Sequence, residues 1–198
     1  MTPEIRAFEY ALALFAVLIG LAITDVATSF HRLLRSKFAV RWDPLALLAA
    51  LYALCLAVGM WFDLWGVRHF AATRHFFFYL TMIAEFVVLF LLAAVSLPDE
   101  PGEHCDLRQH YAINRRYFWL LVALFQLSYL GNGLYFIPGA LAHVGRADTV
   151  GLMLVNNMIL PWVVALVLLG VRSRLVHYLG FALLLAGFAL HYAPYQIN

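Results

Sequence analysis

The chain has 198 residues, of which 65% are hydrophobic and 12% charged, where soluble domains average about 45–50% and about 25%. That imbalance excludes an ordinary soluble globular domain. Thirteen Lys and Arg against 11 Asp and Glu give a net charge of +2, and the basic residues sit between apolar runs instead of forming one patch, which excludes a nucleic-acid footprint.

A helix needs about 20 residues at about 1.5 Å each to cross about 30 Å of hydrocarbon. Windows of that size recur along the chain and predict six transmembrane helices, over 7–30, 44–66, 75–97, 117–141, 149–171 and 175–194. The expected class is an all-α, polytopic integral membrane protein, with 1–198 forming a single domain and no segment left for a soluble one. Stretches such as Ala46 to Met60 and Leu179 to Leu190 are apolar on every face, unlike the alternating strands of a barrel.

The first run, Ala7 to Phe30, is too long for a signal-peptide core and is expected to be retained. Toward its end stands Asp25, with Ser29 at i+4 and Arg32 at i+7; a local ion pair with Arg32, Arg35, His31 or His177 is the structural reading. Asp43-Pro44 reads as N-cap and first-turn proline of the second helix. That helix carries a small-residue stripe, Ala46, Ala50, Ala53 and Ala57, of the kind that lets helices approach in lipid. Asp63 lies near its far end, with Arg68, His69 and Arg74 following.

The third helix holds Glu85 about halfway along and closes at Leu97-Pro98-Asp99. No Lys, Arg or His falls in the middle third of any predicted helix, so Glu85 must carry a proton, be held by neutral donors, or meet a transported cation. The polar connection 98–116 places Asp99, Glu100, Glu103 and Asp106 before Arg108, Arg115 and Arg116. It reads as a solvated loop with an amphipathic lead-in to the fourth helix, and Asp106, Arg108, Arg115 and Arg116 are the surface on which a cytoplasmic partner protein would dock.

Gln126, Tyr129 and Asn132 share one face of the fourth helix, and Asn156 with Asn157 follow on the fifth. Because an amide in hydrocarbon is costly unless bonded, the economical arrangement is one midplane cluster of Glu85, Gln126, Asn132 and Asn156 or Asn157, with Thr81 a turn from the acid. Gly131, Gly133, Pro138-Gly139 and Pro161 interrupt the pattern beside these amides, as in helices whose backbone faces protein or a water-filled cavity. The last helix repeats the small-residue stripe as Ala182, Ala186, Ala189 and Ala193. Such stripes predict packing within one protomer or between protomers, and a homo-oligomer is expected.

Arg6, Phe8, Ala13, Leu14 and Phe15 are matched by Arg116, Phe118, Ala123, Leu124 and Phe125, which raises an inverted repeat of three-helix halves; helices two and five, and three and six, share no comparable match. Arg32, Arg35, Lys37, Arg41, Arg108, Arg115, Arg116, Arg172 and Arg174 fall on connections one, three and five, nine in all, against four (Arg6, Arg68, Arg74, Arg146) elsewhere. Positive loops stay cytoplasmic, so both termini are predicted outside. Trp42, Trp61, Trp65, Trp119 and Trp162 lie near the predicted interfaces, as an aromatic belt does.

Cys55 and Cys105 make neither a disulfide framework nor a CxxC pair. His177 and His191, fourteen apart on the last helix, are the pair a haem would use, but no metal or nucleophile motif accompanies them. The expectation is therefore no cofactor, with haem through His177 and His191 as the alternative, and enzyme activity is left open with the balance against it.

Phe8-Glu9-Tyr10, the run Ile19 to Thr24, Pro98-Asp99, Asp106-Leu107-Arg108 with His110-Tyr111, and Arg115-Arg116-Tyr117-Phe118 resemble a widespread group of small bacterial multi-helix membrane proteins of uncharacterised function. The resemblance covers roughly the first 120 residues. It implies a multi-pass protein of the bacterial inner membrane, surrounded by lipid, and a role for the 98–116 connection. The R-x-F opening and six-span size are also similar to bacterial potassium channels of the lysosomal type, whose F-S-D motif this chain lacks.

Together these readings predict a channel or carrier for protons, a cation or a small polar solute, with Glu85 as the central titratable group and Asp25 and Asp63 at the mouths. The alternative is a membrane sensor or scaffold that docks a partner through 98–116. A haem or lipid enzyme is the third reading.

Overall fold

Proline and capping chemistry set several helix boundaries in this chain, as seen in a computed structural model that describes residues 3–36, 39–67, 76–100, 105–144 and 159–193. The helices are α1 (Pro3–Leu34), α2 (Pro44–Val67), α3 (Phe76–Ser96), α4 (Leu107–Val144), α5 (Leu160–Gly170) and α6 (Arg174–Tyr192). α2 opens on Pro44, α5 has Pro161 in its first turn, and α3 stops before Pro98, as expected of a residue that lacks the N–H an interior helical turn needs. At α4, Asp106 accepts from the backbone N–H groups of Arg108 (2.8 Å) and Gln109 (3.1 Å), satisfying two donors that no helical carbonyl can reach.

Among the described residues, four stretches are long and apolar enough to cross a membrane: Ala11–Leu34, Pro44–Trp65, Phe77–Ser96 and Arg174–Tyr192. The chain is thus all-helical with apolar helices compatible with a membrane protein. α4 has ample length at 38 residues but is not among the four, its side chains beyond Gly133 lying outside the described residues. α5, with 11 residues, reaches only about 16 Å at about 1.5 Å per residue. The rest of the expected fifth span, 149–158, lies outside the described residues.

α3 is central and packs against α1, α2 and α4, while α6 packs on α2 and α5 on α4. Trp119, Phe15, Phe78, Phe86, Phe118 and Phe181 are the largest side chains fully enclosed. The two alanine stripes part company. Ala46, Ala50, Ala53 and Ala57 are buried inside the bundle, whereas Ala182, Ala186, Ala189 and Ala193 are exposed on α6. Val17, Leu21, Phe77, Leu175 and Leu179 are likewise exposed, a greasy exterior suited to lipid and not to water.

One end of the bundle gathers three connections. Strands β1 (Val40–Arg41) and β2 (Cys105–Asp106) pair in parallel, and Arg41 meets the Asp106 carboxylate at 3.2 Å. Arg32 donates to the Asp99 carbonyl at 2.9 Å. Arg115 donates to the Val171 carbonyl, and Arg174 bonds Asp43. The segments preceding α2 and α4 and the one joining α5 to α6 therefore meet, as alternating antiparallel helices require.

Three local expectations change. Ser29 and Arg32 turn to Asp99 instead of Asp25, and Asp25 keeps an Oδ2 with no partner among the described residues, so the expected ion pair does not form. Asp43 directs its carboxylate to Arg174; a full guanidinium charge is a stronger partner than a helix N–H. Trp119 is fully buried rather than part of an interfacial belt, because its N–H finds acceptors in the interior.

Candidate functional site

The acids of the interior are organised by one face of α4. Residues three apart on a helix lie on the same side, and Gln126, Tyr129 and Asn132 use that spacing to reach three different groups. Gln126 donates to the Tyr52 hydroxyl of α2 at 3.3 Å. Tyr129 donates to Asp63 Oδ2 of α2 at 2.9 Å. Asn132 donates to Glu85 Oε2 of α3 at 2.7 Å. The expected single cluster is thus a ladder, in which two carboxylates stand one helical turn apart along α4.

Glu85 is wholly buried. Behind Asn132, the Thr81 hydroxyl lies 2.7 Å from Asn132 Oδ1 and 2.9 Å from the Phe78 carbonyl; its single proton serves one of them. Glu85 Oε1 has no partner among the described residues, and neither has Gln126 Oε1. No cation reaches Glu85 among the described side chains, in keeping with the absence of Lys, Arg and His from mid-helix positions. Asn156 and Asn157 lie outside the described residues.

Asp63 is held differently. Tyr192 from the end of α6 adds a second phenol, at 2.8 Å, to the same Oδ2 that Tyr129 reaches. Gly59, one turn before Asp63, makes this possible: a Cβ there would stand 2.7 Å from the Tyr192 hydroxyl oxygen and 2.9 Å from the Phe188 ring. Arg68, His69 and Arg74, the expected neighbours of Asp63, lie outside the described residues.

A cavity of about 80 Å³ opens beside this acid, lined by Asp63, Gln126, Tyr129, His191 and Tyr192 among apolar side chains. One water needs about 10–15 Å³ counted this way, with two to four polar partners, so several fit. Glu85 and Asn132 are not part of its lining. Asp63 is therefore the acid the cavity reaches, with Glu85 on the next rung. Tyr52, Tyr192 and Gly59 were not anticipated from the sequence; the signal available was the i, i+4 relation of Gly59 and Asp63 on a buried alanine-lined helix.

At the gathered end, His177 is buried between α4 and α6. Trp119 Nε1, a donor only, lies 3.1 Å from both His177 Nδ1 and the Tyr111 oxygen, and Tyr111 is 2.8 Å from the same Nδ1. His177 Nε2 faces the Val171 carbonyl at 3.0 Å, so Nε2 carries the hydrogen. Both ring nitrogens are engaged, which leaves His177 no lone pair for haem iron; His191 borders the Asp63 cavity instead. Among the described residues no group of three His, Cys, Asp or Glu side chains could hold a metal ion.

Arg108 and Arg116 are exposed, Arg115 is half-buried, and Asp106 caps α4. The N–H of Gln109, then that of Arg108 and the Arg41 guanidinium, hold the Asp106 carboxyl below the usual carboxylate range.

Comparison with family models, with curated proteins and with solved structures finds no match to this chain. What the fold defines is an all-helical protein whose apolar helices suit a membrane.

Proposed function

We propose that this protein is a membrane channel or carrier that moves protons, a small cation or a small polar solute, with Asp63 and Glu85 as its working acids. The observation that carries the reading is the pair of carboxylates on adjacent rungs of α4, one beside a cavity with room for several waters and the other buried with an oxygen unpartnered among the described residues. An ionised side chain at the bilayer centre costs about 2.5–3.5 kcal/mol on insertion scales. Glu85 at mid-helix and Asp63 nearer the helix end, whose hydrogen bonds among the described residues come from neutral donors, suit transient occupation by a proton or cation better than static packing.

In this reading the chain makes six spans in a bacterial inner membrane, with 117–141 of α4 and a fifth span ending in α5 completing the set. The nine basic residues of connections one, three and five face the cytoplasm, and both termini lie outside. Asp25 stands toward the cytoplasmic mouth, and the exposed alanine stripe of α6 is the contact between protomers of a homo-oligomer.

Reconstitution into proteoliposomes with an entrapped pH indicator, under imposed proton or alkali-cation gradients, tests the proposal. Asp63→Asn and Glu85→Gln each lower flux by about tenfold or more, a loss of about 1.4 kcal/mol or more in the barrier. Wild-type flux in both variants would overturn the reading.

A further inference from the structure

The gathered end of the bundle carries a second, half-open cavity of about 470 Å³, bordered by Arg108, Arg115, Arg116, Arg172 and Arg174. From this we infer a binding site for a phosphate-bearing anion, held by arginines that α4 and the α5–α6 connection bring together. Of the five, Arg174 has a carboxylate partner, Asp43; among the described residues the other four have none. Arg115 uses one nitrogen on the Val171 carbonyl and buries its Nε–H with no acceptor. His177, the other titratable side chain at the border besides Tyr111, is never anionic and has both nitrogens engaged by Tyr111, Trp119 and Val171.

Four guanidinium groups around one cavity, none with a carboxylate partner among the described residues, repel each other, and an anion in that space relieves the repulsion. Guanidinium forks match phosphate oxygens in pairs, and the buried Nε–H of Arg115 is one donor such an oxygen satisfies. The cavity is within the size range of ligand sites, about 300–1,000 Å³. Its apolar border favours a phospholipid headgroup over a free ion: Ile113 lines it at 70% exposed, and Leu175, next to Arg174, is 68% exposed. Basic pockets at helix ends on a membrane surface bind acidic headgroups in this way.

The test uses the detergent-purified full chain, with phosphatidylglycerol, phosphatidylcholine and inorganic phosphate as separate probes, read by native mass spectrometry and by melting temperature. The triple variant Arg108→Gln/Arg116→Gln/Arg172→Gln changes exposed side chains and leaves the bonds of Arg115 and Arg174 in place. Wild type should hold phosphatidylglycerol at least about tenfold more tightly than phosphatidylcholine, and the triple variant should lose that preference. If inorganic phosphate alone shows the same dependence on the three arginines, the anion is soluble and the site stands. Equal binding of both anionic probes to wild type and variant, or binding of neither, overturns it. Should the variant not fold, wild type decides: a phosphatidylglycerol preference that vanishes between about 0.1 and 1 M salt supports the site, and one that persists unchanged refutes it.

Discussion

Glu85 depends on Asn132 more than on any other residue. The amide is its single hydrogen-bond donor among the described residues, at 2.7 Å, in a fully buried site. Replacing Asn132 with Leu strands both carboxyl oxygens in an apolar interior, at a cost of about 1–3 kcal/mol. Chemical denaturation in detergent should show that loss for Asn132→Leu, and a smaller one for Asn132→Gln, whose amide can still donate; equal stability of wild type and Asn132→Leu would mean that the bond carries no weight. Glu85 could be singled out from sequence because an acid with no cation at its depth stands out against uniformly apolar helices. Its partner could be proposed too, from the 126, 129, 132 spacing. What spacing could not supply was the assignment of each rung. Tyr129 rather than Asn132 meets Asp63, and Gln126 bonds Tyr52, because pairing across helices depends on their relative height and rotation.

Among the elements, α4 shows how a charged connection is joined to an apolar helix. Asp106 caps its first turn and pairs with Arg41 across the short β1–β2 ladder, so one carboxylate fixes both the start of the helix and the position of the loop. Its folded-state pKa lies below the ordinary value. The stabilisation is therefore complete above the unfolded carboxyl pKa of about 3.9 and fades as pH falls through the lower folded value. Asp106→Asn should melt below wild type at neutral pH and converge on it under strong acid; a gap that stays constant down to acid pH would contradict a role for the charge. The Asp43-Pro44 start of α2 was readable because capping is local chemistry, whereas the apolar window marks α4 only from 117 and misses its start at Leu107 and its Asp106 cap. The redirection of Asp43 to Arg174 was not readable, since the two lie 131 residues apart.

For the whole molecule, apolar windows of helical length located α1, α2, α3 and α6 to within a few residues at most ends, because the hydrophobic requirement of a bilayer dominates every other signal in such a chain. Alanine spacing found two packing stripes but could not separate them. One is buried against neighbouring helices and the other faces outward, and that depends on which side of each helix the bundle occupies. The same three-dimensional information places Asp63, rather than Glu85, beside the cavity and turns two isolated acids into neighbours along α4. If they serve one path, removing either should interrupt it, and removing both should add little. The decisive measurement is therefore a double-mutant cycle of proteoliposome flux with Asp63→Asn, Glu85→Gln and their combination. The account predicts a combined variant no slower than the slower single one, the non-additivity of residues that act as a unit; losses that multiply, or a combined variant with wild-type flux, would contradict it.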